Sequence, residues 1–198
     1  MIAGLDELLL AAASLQILLA RQGWDFCFIG GVAVQRWSEP RFTRDIDLTL
    51  LTGFGDEEKF VDLLLKELNP RRPDSRQFAL TSRVLLAQTR EGVEVDIALG
   101  ALPFEKRTIS RATSWEVRDE VILTTCSAED LVVHKVFAGR GLDWTDVERL
   151  LIRQHGKLNL TQIHTELKPL LELKGENEAL DKLDRLQATV ERRLQAKP

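Results

Sequence analysis

The sequence predicts an α/β fold, a mixed and twisted β-sheet with helices mainly on one face, followed by a helical region from about residue 127. Three observations predict it. Short β-type runs at residues 45–50 and 93–99 alternate apolar with acidic side chains at the period-two spacing of a strand. Helical apolar spacing fills residues 5–20 and 56–68, on either side of the first run. From residue 127 onward the pattern is helical. The expected division is a core over residues 1–125 and a C-terminal helical region over residues 126–198.

At 198 residues the chain is long enough to bury a sizeable core, as one domain or as a core with an appendage. Its 44% hydrophobic and 29% charged content is that of a globular protein. The net charge of −4 provides no global basic field for nucleic acid, so any polyanion has to be met by a local patch. Cys27 and Cys126 stand far apart, which points to buried reduced thiols rather than a disulfide framework.

Residues 5–20 are rich in Leu and Ala, yet they begin with Asp6 and Glu7 and meet their first positive charge at Arg21. That is the wrong polarity for an export signal, and the run is too short to span a membrane. A buried amphipathic helix ending near Gly23 is expected, in a cytoplasmic protein with no membrane partner.

Residues 26–29 read as a strand, Gly30-Gly31 as a break and residues 32–37 as a short helix. Glycines at a strand-to-helix turn let backbone approach closely, and the free N–H groups of a helix start favour phosphate. The next strand opens with Asp45-Ile46-Asp47. Asp is depleted in strands, so two of them alternating with Ile and Leu need a reason. Period two puts Asp45, Asp47 and Thr49 on one face and Ile46, Leu48 and Leu50 on the other. Neighbouring carboxylates repel unless a cation sits between them, and a hard divalent ion such as Mg²⁺ or Mn²⁺ takes such oxygen ligands together with substrate phosphates. The plainer alternative is a solvent-facing acidic edge strand. Arg36, Arg41 and Arg44 flank the strand as candidate phosphate contacts. Arg71, Arg72 and Arg76, in a turn-rich stretch also readable as a solvated loop, are a second set.

Residues 83–89 and 93–99 form a hairpin through Glu91-Gly92. Glu94, Asp96 and Ala98 face away from Val93, Val95, Ile97 and Leu99, repeating the earlier acidic face. If the two acidic strands are neighbours, Asp96 falls beside Asp45 and Asp47. Residues 100–113 read as loop, and residues 115–124 as an exposed hairpin or edge completing the sheet. Ser127 caps a helix, Pro169 interrupts a later one, and Leu180, Leu183, Leu186, Val190 and Leu194 line an amphipathic last helix. His134, His155 and His164 lie at no metal-ligand spacing and read as structural or surface residues.

The order strand, Gly30-Gly31, short helix, R-F-T-R-D-I-D-L and a later strand carboxylate resembles the nucleotidyltransferase superfamily with the polymerase-β-like core. More narrowly, it resembles the AbiEii/AbiGii-type nucleotidyltransferases, toxins of bacterial toxin–antitoxin systems. Gly31 and Asp45 stand fourteen positions apart, as in longer-spaced members. A second specific stretch is E-D-L, a lysine, A-G-R and D-x-x-D-V, matched by Glu129, Asp130, Lys135, Ala138-Gly139-Arg140, Asp143 and Asp146.

The resemblance implies a nucleotidyltransferase core and transfer of an NMP from an NTP to a hydroxyl acceptor, by analogy a tRNA end or a protein side chain. It implies that Asp45, Asp47 and Asp96 hold the metal, with Asp96 also helping to activate the acceptor. It further implies that Gly30, Gly31, Arg44 and Lys135 meet the nucleotide, that Asp146 orients it or a base, and that a cognate antitoxin exists. Members of the family carry Gly-Ser or Gly-Gly at this turn, and here position 31 is Gly and not Ser, so no serine hydroxyl reaches the phosphate from there. Two other readings stay open, a catalytically inactive binding or antitoxin-like member and an antibiotic-modifying nucleotidyltransferase.

Overall fold

In the computed structural model, residues 4–196 are described, so the extreme ends of the expected regions 1–125 and 126–198 lie outside the described residues. The chain forms two compact units. The first holds the chain through Val32 together with Phe42–Cys126, and the second holds Ala33–Arg41 and the chain from Ser127 onward.

The first unit is built on a seven-stranded sheet. Helix α1 (Leu5–Arg21) leads into β1 (Phe26–Phe28), and α2 (Gly30–Trp37) starts two residues after that strand. Strand β2 (Asp45–Leu51), α3 (Glu57–Glu67), β3 (Asn69–Pro70), α4 (Ser75–Ser82), β4 (Val84–Gln88) and β5 (Glu94–Gly100) follow. Helix α5 (Pro103–Ser110) and the hairpin β6 (Thr113–Arg118) with β7 (Val121–Thr125) complete the unit. The strand order is β3-β4-β5-β2-β1-β7-β6, with β2–β5 and β1–β7 parallel and the other pairs antiparallel. The sheet is therefore mixed, as expected.

Period two decides the two faces. Ile46, Leu48 and Leu50 of β2, Val95, Ile97 and Leu99 of β5 and Leu85 of β4 are buried in one cluster with Leu8, Leu15 and Leu19 of α1 and Phe60, Val61 and Leu64 of α3. Each such side chain contributes about 1.5–3 kcal/mol relative to leaving it in water. Arg83, which ends α4 in the left-handed region at φ 58°, ties this layer together. Its guanidinium donates to the Glu57 carboxylate and to the carbonyls of Gly53 and Leu99. Helix α5 lies on the opposite face, where a Cβ added to Gly100 would stand 3.0 Å from Thr49 Cγ2 and 3.3 Å from Glu105 Cβ.

Two helices occupy stretches that the sequence pattern presents as turn or loop. Pro103 is the first residue of α5, a position where the missing N–H costs nothing, and the Glu105 carboxylate accepts from the Ala101 and Leu102 amides at 2.8 Å each. Helix α4 buries only Ser75 and Ala79, so it shows no apolar stripe.

The second unit contains helices α6 (Ala128–Ala138), α7 (Gly141–Arg153), α8 (Leu160–Lys174) and α9 (Glu178–Gln195), with the later part of α2 and the segment to Arg41. The Ser127 hydroxyl accepts from the Asp130 amide and caps α6, while Asn159 caps α8 through the Gln162 amide. Gly139 at φ 69° separates α6 from α7. Pro169 lies inside α8 without ending it, because Ile163, Leu167, Leu170 and Leu171 bury one face across the position and packing outweighs the lost backbone bond.

Candidate metal and phosphate site

Strands β2 and β5 run parallel in register, pairing Asp45 with Glu94 and Asp47 with Asp96. Because side chains alternate along each strand, these four acids share the face opposite the core. Asp45, Asp47 and Asp96 each offer a carboxylate oxygen, and the three oxygens lie within 4.8 Å of one another. Such a set of hard oxygen donors, partly open to solvent, fits a divalent ion such as Mg²⁺ or Mn²⁺.

Each carboxylate is held by a neighbour. The Thr43 hydroxyl donates to Asp45 Oδ1 at 3.1 Å, and the Gly31 amide donates to Asp47 Oδ2 at 3.2 Å. Arg71 donates to Asp96 Oδ1 at 2.5 Å and also to Glu94. Burial raises the pKa of Asp96, and the charges of Asp45 and Glu94 push the same way, against the pull of Arg71.

The glycine pair has a steric reason. Gly30 sits at φ 51°, and a Cβ there would fall 1.9 Å from Asp47 Oδ2. A Cβ at Gly31 would fall 2.1 Å from Thr43 Oγ1. A serine at 31 therefore has no room beside Thr43, and the hydroxyl in that space belongs to Thr43. Helix α2 starts on Gly30 itself, so the two glycine amides form its first turn beside the acids.

The arginines differ in their partners. Arg44 is exposed, with its guanidinium 5.6 Å from the Phe42 ring centroid. In the stretch after β3, Arg71 takes Asp96 and Glu94, Arg72 pairs with Asp74 at 2.8 Å, and Arg76 pairs with Asp62 at 2.7 Å.

Lys135 and Asp146 belong to a network inside the second unit. Lys135 Nζ stands 3.0 Å from Asp143 Oδ1 and 2.8 Å from Asp146 Oδ2. Arg41 donates to both Asp146 oxygens at 2.8 Å, and Arg140 donates to Asp143 at 2.8 Å. Burial works to raise the pKa of both acids, but hydrogen bonds from the cations outweigh it and hold both below the ordinary carboxylate value. Asp45, Asp47 and Asp96 are thus brought together with one another, and Lys135 and Asp146 with one another. His134 lies half-buried in α6, and His164 faces Asp184 at 3.1 Å.

Sequence reasoning gave no role to Thr43, although it stands in the quoted motif. Nothing in its identity marks it, because its place is set by the space above Gly31. Arg71 was one of several candidate phosphate contacts, and its reach across β4 to β5 is a tertiary fact.

Residues 16–197 match the model of a protein family described as nucleotidyl transferase AbiEii toxin, type IV TA system. The fold is similar to that of an antigenic nucleotidyltransferase-like protein from Paracoccidioides brasiliensis, with a TM-score of 0.55 and 17% identity over 89% of this chain and 93% of that one. A lincosamide antibiotic adenylyltransferase, LnuA, aligns with a TM-score of 0.45 and 14% identity over 69% of this chain and 92% of that one. No curated protein sequence matches the chain. Among the described residues, no helix is long and apolar enough to cross a membrane.

Proposed function

The chain belongs to the AbiEii nucleotidyltransferase toxin family, and on that premise we propose that it transfers an NMP from an NTP to a hydroxyl acceptor. The observation that carries this reading is the convergence of Asp45, Asp47 and Asp96 within 4.8 Å, on one face of two parallel strands. In the proposed reaction an acceptor oxygen bonds to the α-phosphorus, the bond to the bridging oxygen of the β-phosphate breaks, and pyrophosphate leaves. The acceptor's proton passes to the Asp96 carboxylate, which stands beside Asp45 and Asp47 on the same face of the sheet. Asp45, Asp47 and Asp96 would hold Mg²⁺ or Mn²⁺, which when bound supplies neutralisation of the phosphate charge.

The chain's own groups position the rest. The Gly30-Gly31 turn that opens α2 is the proposed place for phosphate, with the Gly31 amide holding Asp47, Thr43 fixing Asp45, and Arg44 the exposed cation nearest in sequence to the acids. The roles of Lys135, as a cation for the triphosphate, and Asp146, as the acid that orients it, rest on the family pattern. The network of Arg41, Lys135, Asp143 and Asp146 gives both residues fixed positions. A tRNA end or a protein side chain is the proposed acceptor class, and the family description supports a toxin with a cognate antitoxin partner.

The test is to incubate each labelled NTP and Mg²⁺ with the protein and total tRNA, purified proteins or aminoglycosides. Label on tRNA or protein, absent with Asp47→Asn, supports the reading. Label on the aminoglycoside alone moves the protein to the antibiotic-modifying class. No transfer to any acceptor, together with no Mn²⁺ binding, leaves a binding protein that keeps the fold without turnover.

A further inference from the structure

Arg71 follows directly on the two-residue strand β3, and its amide donates to the Leu86 carbonyl of β4 at 3.2 Å. The backbone is therefore pinned beside β4, while the side chain reaches beyond that strand to β5. There the planar fork divides, one nitrogen to Glu94 and the other to Asp96 Oδ1 at 2.5 Å. The Arg71 side chain retains 19% of its exposure and the Asp96 side chain 32%, so the pair is partly withdrawn from water and screened less than a surface pair. The neighbouring arginines behave differently, since Arg72 and Arg76 pair with exposed acids away from the cluster.

Asp96 has one carboxylate and two suitors. A divalent ion shared with Asp45 and Asp47 needs a charged oxygen from Asp96, and a guanidinium bonded to that carboxylate competes for the same negative charge. We propose that Arg71 is a built-in counter-ion that neutralises Asp96 in the metal-free chain and is displaced when a divalent ion binds. Glu94, paired with Asp45 across the strands and held by the other arm of the fork, retains the guanidinium nearby after release. The proposal rests on the metal role given to Asp45, Asp47 and Asp96. It adds that the site trades one cation for another, so that metal affinity is set by an arginine that is no metal ligand.

The experiment titrates the full chain with Mn²⁺ and follows free ion by electron paramagnetic resonance, for wild type, Arg71→Gln, Arg72→Gln and Asp47→Asn. Arg71→Gln binds Mn²⁺ about fivefold more tightly than wild type, a size set by losing one partly exposed ion pair as competitor. Arg72→Gln removes the same charge one position away and stays within about twofold of wild type, which separates direct competition from a general field. In a second readout, the Nε–Hε signal of Arg71, assigned by its absence in Arg71→Gln, shifts when the diamagnetic ion Mg²⁺ saturates the site. Equal affinity in wild type and Arg71→Gln, with binding lost in Asp47→Asn, overturns the counter-ion role and leaves the metal site standing. An Arg71→Gln chain that binds more weakly also overturns it, in favour of Arg71 as a support for Asp96. No binding by wild type or by Arg71→Gln overturns both the proposal and the metal reading beneath it.

Discussion

The Thr43 hydroxyl occupies the space that a side chain at Gly31 would need, with its oxygen 2.1 Å from where a Cβ would stand. That hydroxyl also donates to Asp45, so one small side chain fills the gap over the glycine turn and orients an acid of the candidate site.

Gly31→Ser therefore introduces an overlap, expected to cost about 1–3 kcal/mol as in other overpacked interiors. In a Thr43→Ala background the same substitution costs less, because the clashing oxygen is gone. Chemical denaturation of the four chains of this double-mutant cycle measures the coupling. Equal costs in both backgrounds show that the turn relaxes by another route.

Asp47→Asn separates function from stability. Asn keeps an oxygen for the Gly31 amide and takes one negative charge out of the crowded acids, so the melting temperature shifts little. Transfer activity falls by about a hundredfold or more, on the scale of losing a key electrostatic group at a reacting centre. The check is a thermal melt without metal beside a labelled-NTP assay. A melt lowered in step with activity points to a scaffold role for Asp47.

Asp146→Asn leaves partly buried Arg41 against a neutral partner and buried Lys135 with Asp143 as its one remaining acid among the described residues. Breaking a buried ion pair from one side costs about 3–5 kcal/mol, and Asp146 is fully buried with cations on both oxygens. The wild-type pKa of Asp146 lies below its unfolded value, so the stabilisation is complete above the ordinary carboxylate range and is lost as pH falls through the folded value. Urea denaturation at neutral and acid pH checks both points, with the variant's deficit shrinking in acid.

His134 gives a second and separate pH window. Burial lowers its pKa from 6.5 to about 4, with Lys135 acting in the same direction and Asp130 against it. Between these values the unfolded chain takes up a proton that the folded chain does not, so stability is complete above 6.5 and falls as pH drops toward 4. The total change is on the order of 3 kcal/mol. Replacing His134 with Gln flattens the stability profile across this window, whatever its effect at neutral pH. A slope that survives the substitution assigns the window to other groups.

Much of the first unit is legible in the sequence because strand periodicity and burial give the same signal. Asp45-Ile46-Asp47 and Val95-Asp96-Ile97 can be sorted onto faces by counting, and the acids fall on the side away from the core. Their adjacency is another matter. Nothing local in either strand says that β2 pairs with β5 in parallel, and only the completed sheet aligns Asp47 with Asp96. Helices α4 and α5 escape for a local reason, one lacking an apolar stripe and the other opening on a proline that also suits a loop. Thr43 and Arg71 escape because a gap above a glycine and a reach across β4 exist only in three dimensions.

The parallel register of β2 and β5 has a consequence for synthesis on the ribosome. Between Asp47 and Asp96 the chain must make α3, β3, α4 and β4 before the two acids can meet. At about 5–20 residues per second, several seconds separate the emergence of the first acids from that of the last. A nascent or truncated chain ending before β5 carries the glycine turn and Asp45 and Asp47, yet holds no completed triad, so the cell meets the assembled centre only after most of the sheet has left the exit tunnel.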